Sequence, residues 1–410
     1  MISVGIDVSK GKSTVCILKP YGEIMCSPFE MLHGEKELNA LDDLLNKLDG
    51  EIRIVMEATG IYHLPILTFF HEKGYFVSVI NPFAMKKYAK DSSIRGAKTD
   101  KLDSIMIANY GIEKWFKLQR YKGDEEIYAE LKLLGRRYRH YMELHVKALQ
   151  ELTHILDYVM PGIKKMFNSW NEANGKDKLS DFVEQFWHFD LITAMSLEKF
   201  TEEYLDWAKE KKYHRSRSKA EAVYELASNG ISTLSSGTPS TKMLVQEAIS
   251  VLRTVDSSLF LILTRMQELA KTLPEYSTVR EMGGVGDVLA VKLIAEIGDI
   301  RRLHSAKALI AWAGIDPPPY ESGQFIGSKR KITKRGSSTL RKVGYEVMRV
   351  LKSHPAPKDD AVYNYILKKE SEGKSKKHAK IAGLNKFLRI YYARVMACLL
   401  YTSPSPRDCS

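Results

Sequence analysis

The sequence predicts an α/β domain over residues 1–120 and a predominantly helical chain after it. Two observations support this prediction. Short segments rich in β-branched residues alternate with amphipathic segments over the first 120 residues, as in a sheet covered by helices. Beyond that point, apolar residues recur every three or four positions over long stretches, which is typical of packed helices.

The predicted elements of the α/β domain follow a recognisable order. Strands are predicted at 2–8 and 13–18, with a third at 24–27 after the turn at Gly22. They are followed by a helix at about 36–48, a strand ending at Glu57, a helix at 62–73, a strand at 75–80 and a helix beginning near Asp100. Three early strands and then alternating helices and strands match the ribonuclease-H-like layout, which places acids on the first strand, the fourth strand and a late helix.

Four carboxylates fall at these positions. Asp7 ends the first apolar run, and Glu57 ends the fourth strand. Asp100 and Asp103 are three residues apart at the start of a helical pattern, so they share one helix face. Like charges about 4 Å apart repel by about 4 kcal/mol per pair at an effective dielectric constant of about 20. A cation must therefore neutralise such a group, and all-oxygen ligands favour Mg²⁺ or Mn²⁺.

These acids have two other interpretations. A single aspartate at a strand end is most often a turn former or a helix cap, so only the joint order of the four indicates a site. The segment around Gly5 and Asp7 is also similar to the phosphate-binding hairpin of actin-like ATPases and sugar kinases. Those folds need a second glycine-rich phosphate loop and an adenosine site, and the sequence offers neither.

The charge balance favours a polyanionic partner. The 410 residues include 62 Lys and Arg against 50 Asp and Glu, a formal net charge of +12. Eight of these cations, against two acids, lie within residues 320–350, and a second basic cluster spans 374–380.

The four cysteines have neither metal-binding nor disulfide-framework spacing, and no signal peptide or membrane-length apolar run is present. A reduced, cytoplasmic setting without membrane contact is expected.

The middle of the chain, residues 121–271, predicts a helical spacer. From about 125 to 160 the apolar positions keep a heptad rhythm over four repeats, which indicates a coiled coil. A matching helix is predicted at about 241–271, to pair with the first as an antiparallel hairpin or to join two copies of the chain. An insertion of shorter amphipathic helices, at about 161–240, shows no recognisable chemistry.

The carboxy-terminal segment, residues 272–398, begins with a glycine-rich turn between two helical patterns. Gly284-Val285-Gly286 is predicted to form the turn of a helix-hairpin-helix. Glycines let the backbone approach a phosphate, and the next helix offers free N–H groups. Contact of Gly284 and Gly286 with the DNA backbone is therefore expected, although an ordinary turn between helices would have the same pattern.

A proline-rich segment follows, with Ser322-Gly323 directly after Pro317-Pro318-Pro319-Tyr320-Glu321. From chemistry alone this is a rigid turn. In combination, however, these features resemble the DEDD transposases of bacterial insertion sequences. They are the acidic quartet, the heptad spacer, the glycine hairpin, Ala311-Trp312-Ala313-Gly314-Ile315-Asp316-Pro317, Ser322-Gly323, and Lys334-Arg335-Gly336 with Leu340-Arg341 four residues on. This family of bridge-RNA-guided recombinases is related to the Piv DNA invertases. The resemblance covers about residues 1–395.

The resemblance implies a RuvC-like amino-terminal domain in which Asp7, Glu57, Asp100 and Asp103 bind the metal. It implies that Ser322 attacks a DNA phosphate to form a covalent phosphoserine link. It also implies that an element-encoded guide RNA pairs with donor and target DNA, and that the protein acts as a tetramer, in the bacterial cytoplasm at the nucleoid.

Basic residues near these motifs are candidates for contact with the nucleic-acid backbone. The candidates near the serine are Lys329, Arg330, Lys334, Arg335 and Arg341, and those just before the acidic helix are Arg95 and Lys98.

Two alternatives to a serine recombinase remain open from the residues themselves. One is a metal-dependent nuclease or Holliday-junction resolvase of the same fold, in which water attacks and Ser322 is only a turn residue. The other is a nucleic-acid-binding protein without catalytic activity. The last residues, 399–410, show no helical continuation and are expected to be a disordered, non-native tail resembling read-through of a sequencing adapter.

Overall fold

The structure, a computed structural model, describes residues 1–92, 99–123, 125–167, 171, 174–317, 321–322, 325–326, 331–357 and 359–402. The chain divides into two compact units, residues 1–123 and 124–410. The first unit is an α/β domain, and the second is almost entirely helical.

The α/β unit is built on one mixed five-stranded sheet. Its strands are β1 (Ile2–Val8), β2 (Lys12–Leu18), β3 (Ile24–Leu32), β4 (Ile52–Glu57) and β5 (Phe76–Ile80). Their order across the sheet is β3-β2-β1-β4-β5, with β1, β2 and β3 antiparallel and β1, β4 and β5 parallel. Three early strands followed by alternating helices and strands are the element order that the sequence predicts.

Helices cover both faces of this sheet. They are α1 (Glu35–Leu45), α2 (Leu64–Glu72), α3 (Pro82–Ser92) and α4 (Asp100–Glu113). Side chains alternate between the two faces along a strand. Ile2, Val4 and Ile6 of β1 pack into the core formed with α1 and α2, whereas the intervening positions face α4. Helix α3 has no counterpart among the sequence predictions.

Twelve further helices are described in the second unit. They are α5 (Glu126–Val159), α6 (Lys178–Gln185), α7 (Phe189–Thr193), α8 (Leu197–Glu210), α9 (Arg217–Asn229), α10 (Pro239–Lys271), α11 (Tyr276–Arg280), α12 (Asp287–Ile297), α13 (Ala306–Ala313), α14 (Ser338–Ser353), α15 (Ala361–Ser371) and α16 (Lys376–Thr402). The long helices α5 and α10 occupy the two segments that the heptad rhythm predicts. No described helix is long and apolar enough to cross a membrane.

Helices α5 and α10 pack antiparallel. Arg265 of α10 bonds Glu130 near the start of α5, and farther along α5 the buried pair His145–Asp256 joins the helices at 2.5 Å. The far ends of both helices share an aromatic-rich core with α6 to α9. The inserted segment is therefore a small helical subdomain on the end of the hairpin.

The near ends of α5 and α10 share a larger core with α11 to α16. In this part of the unit, β6 (Glu321–Ser322) and β7 (Phe325–Ile326) form a short antiparallel hairpin.

The prediction that the helical part of the chain ends before residue 399 is wrong. Helix α16 continues through Thr402, because Leu399 extends the buried face of Tyr391 and Val395 by one more turn. Residues 403–410 lie outside the described part of the chain.

Candidate active site

Asp7 and Glu57 lie side by side at one end of the sheet. Strands β1 and β4 are parallel, and their register pairs Ile6 with Met56. The next residues, Asp7 and Glu57, therefore follow on strands about 4.8 Å apart. By the alternation of side chains along each strand, both lie on the face of the sheet that α4 covers, and both are half-buried. The register thus places two carboxylates next to each other at the carboxyl ends of β1 and β4.

Two glycines allow α4 to lie directly on this face of the sheet. A Cβ added at Gly5 would be 2.3 Å from the Ala108 nitrogen and 2.4 Å from the Ser104 oxygen. A Cβ added at Gly111 would be 2.1 Å from the Ser3 hydroxyl. Gly111 thus lies over Ser3, and the turn at 104–108 lies over Gly5. Helix α4 therefore runs antiparallel to β1.

This packing directs the first turn of α4 toward Asp7. Two strand residues span about 6.6 Å, and about four to five helical residues span a similar length. The two residues from Gly5 to Asp7 therefore span the same length as the stretch of α4 from the turn at 104–108 back to its first turn. That first turn, which contains Asp100 and Asp103, lies near Asp7. The Thr99 hydroxyl caps this turn by accepting a hydrogen bond from the Leu102 nitrogen.

An independent electrostatic effect places Asp100 near the same end of the sheet. Lys12 begins β2, directly after the turn that follows β1. Its pKa is raised chiefly by the hydrogen bond to Glu30, and the charge of Asp100 raises it further. All four predicted acids therefore belong to one end of one face of the sheet.

The four carboxylates suit a hard divalent cation by their chemistry, because all their donors are oxygen. Across the described ranges, however, no three His, Cys, Asp or Glu side chains are grouped closely enough to hold a metal ion. The backbone brings the acids to one region, and their side chains do not converge on one point. Mutual repulsion of about 4 kcal/mol per pair opposes such convergence unless a cation lies between them.

The glycine hairpin is the next predicted site. Gly284 has a φ of +78°, and a Cβ there would be 2.8 Å from the Val347 oxygen of α14. Because Gly284 has no side chain, helix α14 can pack directly against this turn. Gly286 precedes α12 and faces open space, but the Asp287 carboxylate, held by Arg280 and Tyr276, occupies the first turn of that helix. Gly286 is the more accessible of the two predicted phosphate contacts.

The remaining predicted site residues lie around the serine. Ser322 is in β6, paired with Phe325 of β7. Arg335 and Lys334 are exposed, and Lys334 has a φ of +55°. Arg341 is half-buried, and its Nη1 donates to the carbonyl oxygens of three residues, Ala313, Gly336 and Ser337. The predicted contacts Arg95, Lys98, Lys329 and Arg330 lie outside the described residues.

The close approach of α4 at Gly5 and Gly111 was not predicted from the sequence. A glycine inside a strand often marks a close approach of another backbone, and Gly5 stands two residues before the first acid. That spacing was the available signal.

Two family models match the chain. A model described as a transposase matches residues 4–161, which include the four acids. A model described as a transposase of the IS116/IS110/IS902 family matches residues 276–364, which include Ser322.

Three relatives agree with these matches, two of them over nearly the whole chain. The pilin gene-inverting protein of Moraxella bovis is 23% identical over 390 residues, 95% of this chain and 94% of its own length. An uncharacterized 44.8 kDa protein of insertion element IS116 from Streptomyces clavuligerus is 21% identical over 99% of this chain and 97% of its own. The transposase for insertion sequence element IS1111A of Coxiella burnetii is 30% identical over 31% of this chain and 35% of its own length.

The mixed sheet and the match of the first family model define a nuclease-like domain joined to a helical unit. The chain belongs to the IS116/IS110/IS902 family of insertion-sequence transposases and DNA invertases, as its sequence motifs predict. Membership implies an enzyme that cleaves and transfers DNA strands. Domains of this nuclease-like type generally use divalent metal ions.

Proposed function

We propose that the protein is the recombinase of an insertion sequence, which cuts and rejoins DNA through a covalent link to Ser322, assisted by an acidic Mg²⁺ or Mn²⁺ site. The placement of Asp7, Glu57, Asp100 and Asp103 at one end of one sheet face is the observation that chiefly supports it. The match of the second family model across Ser322 supports the position of the nucleophile. The names of the relatives, a gene-inverting protein and transposases, support recombination as the reaction class.

The proposed reaction is an exchange of phosphodiester bonds. The Ser322 oxygen loses its proton and bonds to a backbone phosphorus, while the bond from phosphorus to a deoxyribose oxygen breaks and that oxygen takes up a proton. The serine–DNA phosphodiester retains the bond energy, so attack by another deoxyribose hydroxyl rejoins DNA and releases the serine without ATP. A serine hydroxyl is a weak nucleophile unless activated, and a bound divalent cation supplies positive charge that favours the alkoxide and stabilises the phosphate. Asp7, Glu57, Asp100 and Asp103 would hold that cation.

The proposal extends to partners. An RNA encoded by the element would pair with donor and target DNA, so that the protein needs mainly contacts with backbone and shape. The net charge of +12 supports polyanionic partners of this kind. In this proposal α5 and α10 form a coiled-coil spacer, the Gly284–Gly286 turn acts as a helix-hairpin-helix on the DNA backbone, and the active assembly is a tetramer at the bacterial nucleoid.

A trapping assay tests the proposal. The full chain is incubated with Mg²⁺, a nicked duplex bearing one end of the element, and RNA transcribed from the flanking non-coding segment. The expected product is a protein–DNA adduct that resists denaturant and maps to Ser322 by mass spectrometry. Ser322→Ala and Asp7→Asn should abolish it. The matched controls Ser353→Ala and Asp43→Asn, at exposed helical positions, should not.

Two outcomes would contradict the proposal. Cleaved DNA without an adduct, unchanged in Ser322→Ala, would identify a water-using nuclease of the same fold. An adduct that persists in Asp7→Asn would show that serine attack does not depend on the acidic site.

A further inference from the structure

The segment that contains Ser322 is closed at its base by a ladder of backbone hydrogen bonds. The Thr333 nitrogen donates to the Asp316 oxygen at 3.1 Å, and the Lys334 nitrogen donates to the Gly314 oxygen at 2.9 Å. The Ser337 nitrogen donates to the Trp312 oxygen at 2.7 Å. Residues 312–316 and 333–337 therefore run side by side, and the serine segment, residues 317–332, begins and ends at this ladder.

Two glycines make this close approach possible. A Cβ at Gly314 would be 2.5 Å from the Gly336 nitrogen, and Gly314 has a φ of +63°. A Cβ at Gly336 would be 2.1 Å from the Trp312 oxygen. A larger residue at either glycine would push the two backbone segments, 312–316 and 333–337, apart. Lys334, with a φ of +55°, has a backbone conformation that is uncommon outside glycine, and its N–H bond to Gly314 holds it there.

Arg341 joins both sides of the ladder from α14. Its Nη1 lies 3.0 Å from the oxygens of Ala313 and Gly336 and 3.2 Å from that of Ser337. One charged group thus bridges residues that precede and follow the serine segment. Hydrogen bonds from a charged donor are about twice as strong as neutral ones.

A side-chain bond closes the end of the ladder nearest the serine. The Thr333 hydroxyl donates to Asp316 Oδ1 at 2.6 Å, between the same two residues whose backbones are bonded. Both side chains are half-buried. This bond therefore adds a side-chain link to the backbone link at the point where the serine segment begins and ends.

We propose that Asp316 and Thr333 are positioning residues for the reaction, which hold the two ends of the Ser322 segment at a fixed separation. The inference rests on the proposed role of Ser322 as nucleophile. The physical reason is that a nucleophile on a loop with fixed ends samples fewer conformations, so a larger share of them suits attack. Neither residue touches the reacting atoms in this proposal.

Matched variants test the role. Thr333→Val keeps the shape and removes the donor, whereas Thr333→Ser keeps the donor. Asp316→Ala removes the acceptor, whereas Asp316→Asn keeps one. In the trapping assay with the nicked duplex, we expect the rate of adduct formation at saturating DNA to fall about tenfold in Thr333→Val and Asp316→Ala, the effect of one lost hydrogen bond. It should return to within about twofold in Thr333→Ser and Asp316→Asn.

Two readouts separate positioning from general stability. The concentration of duplex giving half-maximal rate should remain that of the wild type in all four variants. The loss of one hydrogen bond should lower the thermal midpoint only slightly, so the rates are compared at a temperature where every variant is fully folded. Equal maximal rates in Thr333→Val and wild type, with a Ser322 adduct in both, would overturn the positioning role alone. A loss of rate that is fully explained by a smaller folded fraction at the assay temperature would overturn it as well. Cleavage by the wild type without any adduct would overturn the nucleophile proposal and this inference together, and Ser322→Ala identifies that case.

Discussion

Replacing Gly5 by alanine should disable the acidic site without touching any acid. The new Cβ would be 2.3 Å from the backbone nitrogen of Ala108 and 2.4 Å from the backbone oxygen of Ser104. Neither atom is at the end of a flexible side chain, so α4 itself must move. Restoring an ordinary separation of about 3.4 Å requires a shift of about 1 Å.

The two expected magnitudes follow from this shift. Forcing a methyl group into a packed contact costs about 1–3 kcal/mol of stability. The activity loss should be larger in proportion, because α4 holds Asp100 and Asp103 while β1 holds Asp7, and a displacement of about 1 Å between catalytic groups can cost about 100-fold in rate. We expect Gly5→Ala to lower the rate of adduct formation by about that factor. The measurement is the trapping rate at a temperature where circular dichroism shows the variant folded.

Gly11→Ala is the matched control. Gly11 lies in the turn between β1 and β2 with a φ of +79°, and an added Cβ would meet nothing within 4 Å. This variant should lose about 1–2 kcal/mol through backbone strain alone, with α4 in place and the rate unchanged. A Gly5→Ala variant within about twofold of the wild-type rate would refute the argument that α4 sets the geometry of the acids. Equal rate losses in the two variants would refute it too, since stability would then account for both.

Three further predictions concern the rest of the chain. Burial raises the pKa of the Cys16 thiol to about 11, with the nearby Cys26 adding to the effect, so Cys16 should resist iodoacetamide at pH 8 until the protein is unfolded, as peptide mapping would show. Burial alone would raise the Asp359 pKa, but hydrogen bonds from Arg394 and a backbone N–H hold it below its usual range. Arg394→Met should therefore lower the free energy of unfolding, measured by urea titration, by its full amount at pH 7. The difference from the wild type should shrink as the pH falls below about 4, where the carboxylate becomes protonated. Tyr128→Phe should cost about 1–3 kcal/mol, because the Tyr128 hydroxyl bonds the buried carboxylate of Glu275 at 2.7 Å, and an unchanged urea midpoint would contradict this.

Patterns within one element were the most predictable from sequence. The strand at 2–8 and the helices at 126–159 and 239–271 end within two residues of their predicted ends. The reason is that the geometry of a strand or a helix places residues of fixed spacing on one buried face, and that spacing is visible as hydrophobic periodicity in the sequence. Helix α3 was missed, since its pattern is short and weakly amphipathic. The hairpin of β6 and β7 was also missed, because two-residue strands leave no periodicity.

Contacts between distant segments were not predictable in the same way. A glycine inside a strand pattern, such as Gly5, signals a close approach but not which segment approaches, and Gly111 carries no signal of its own. Only the crossing of α4 over β1 explains both glycines. The placement of the elements that carry the four acids was an exception, because strand ends and a helix start have few possible arrangements in this layout. Their order along the chain was therefore informative before any contact was known, whereas the convergence of their side chains was not.

Arg341 shows why composition alone assigns charged residues poorly. It lies in the most basic stretch of the chain, and by charge it is as good a candidate for a phosphate contact as Arg335. One of its nitrogens, however, is committed to three carbonyl oxygens within the protein, and moving it to a phosphate would leave those acceptors without that donor. A lysine would keep the charge but could not reproduce a planar guanidinium that bridges two backbone segments. The net charge of the stretch therefore overstates the cations available to DNA, and exposed residues such as Arg335, Lys342 and Arg349 are the better candidates for neutralising its backbone.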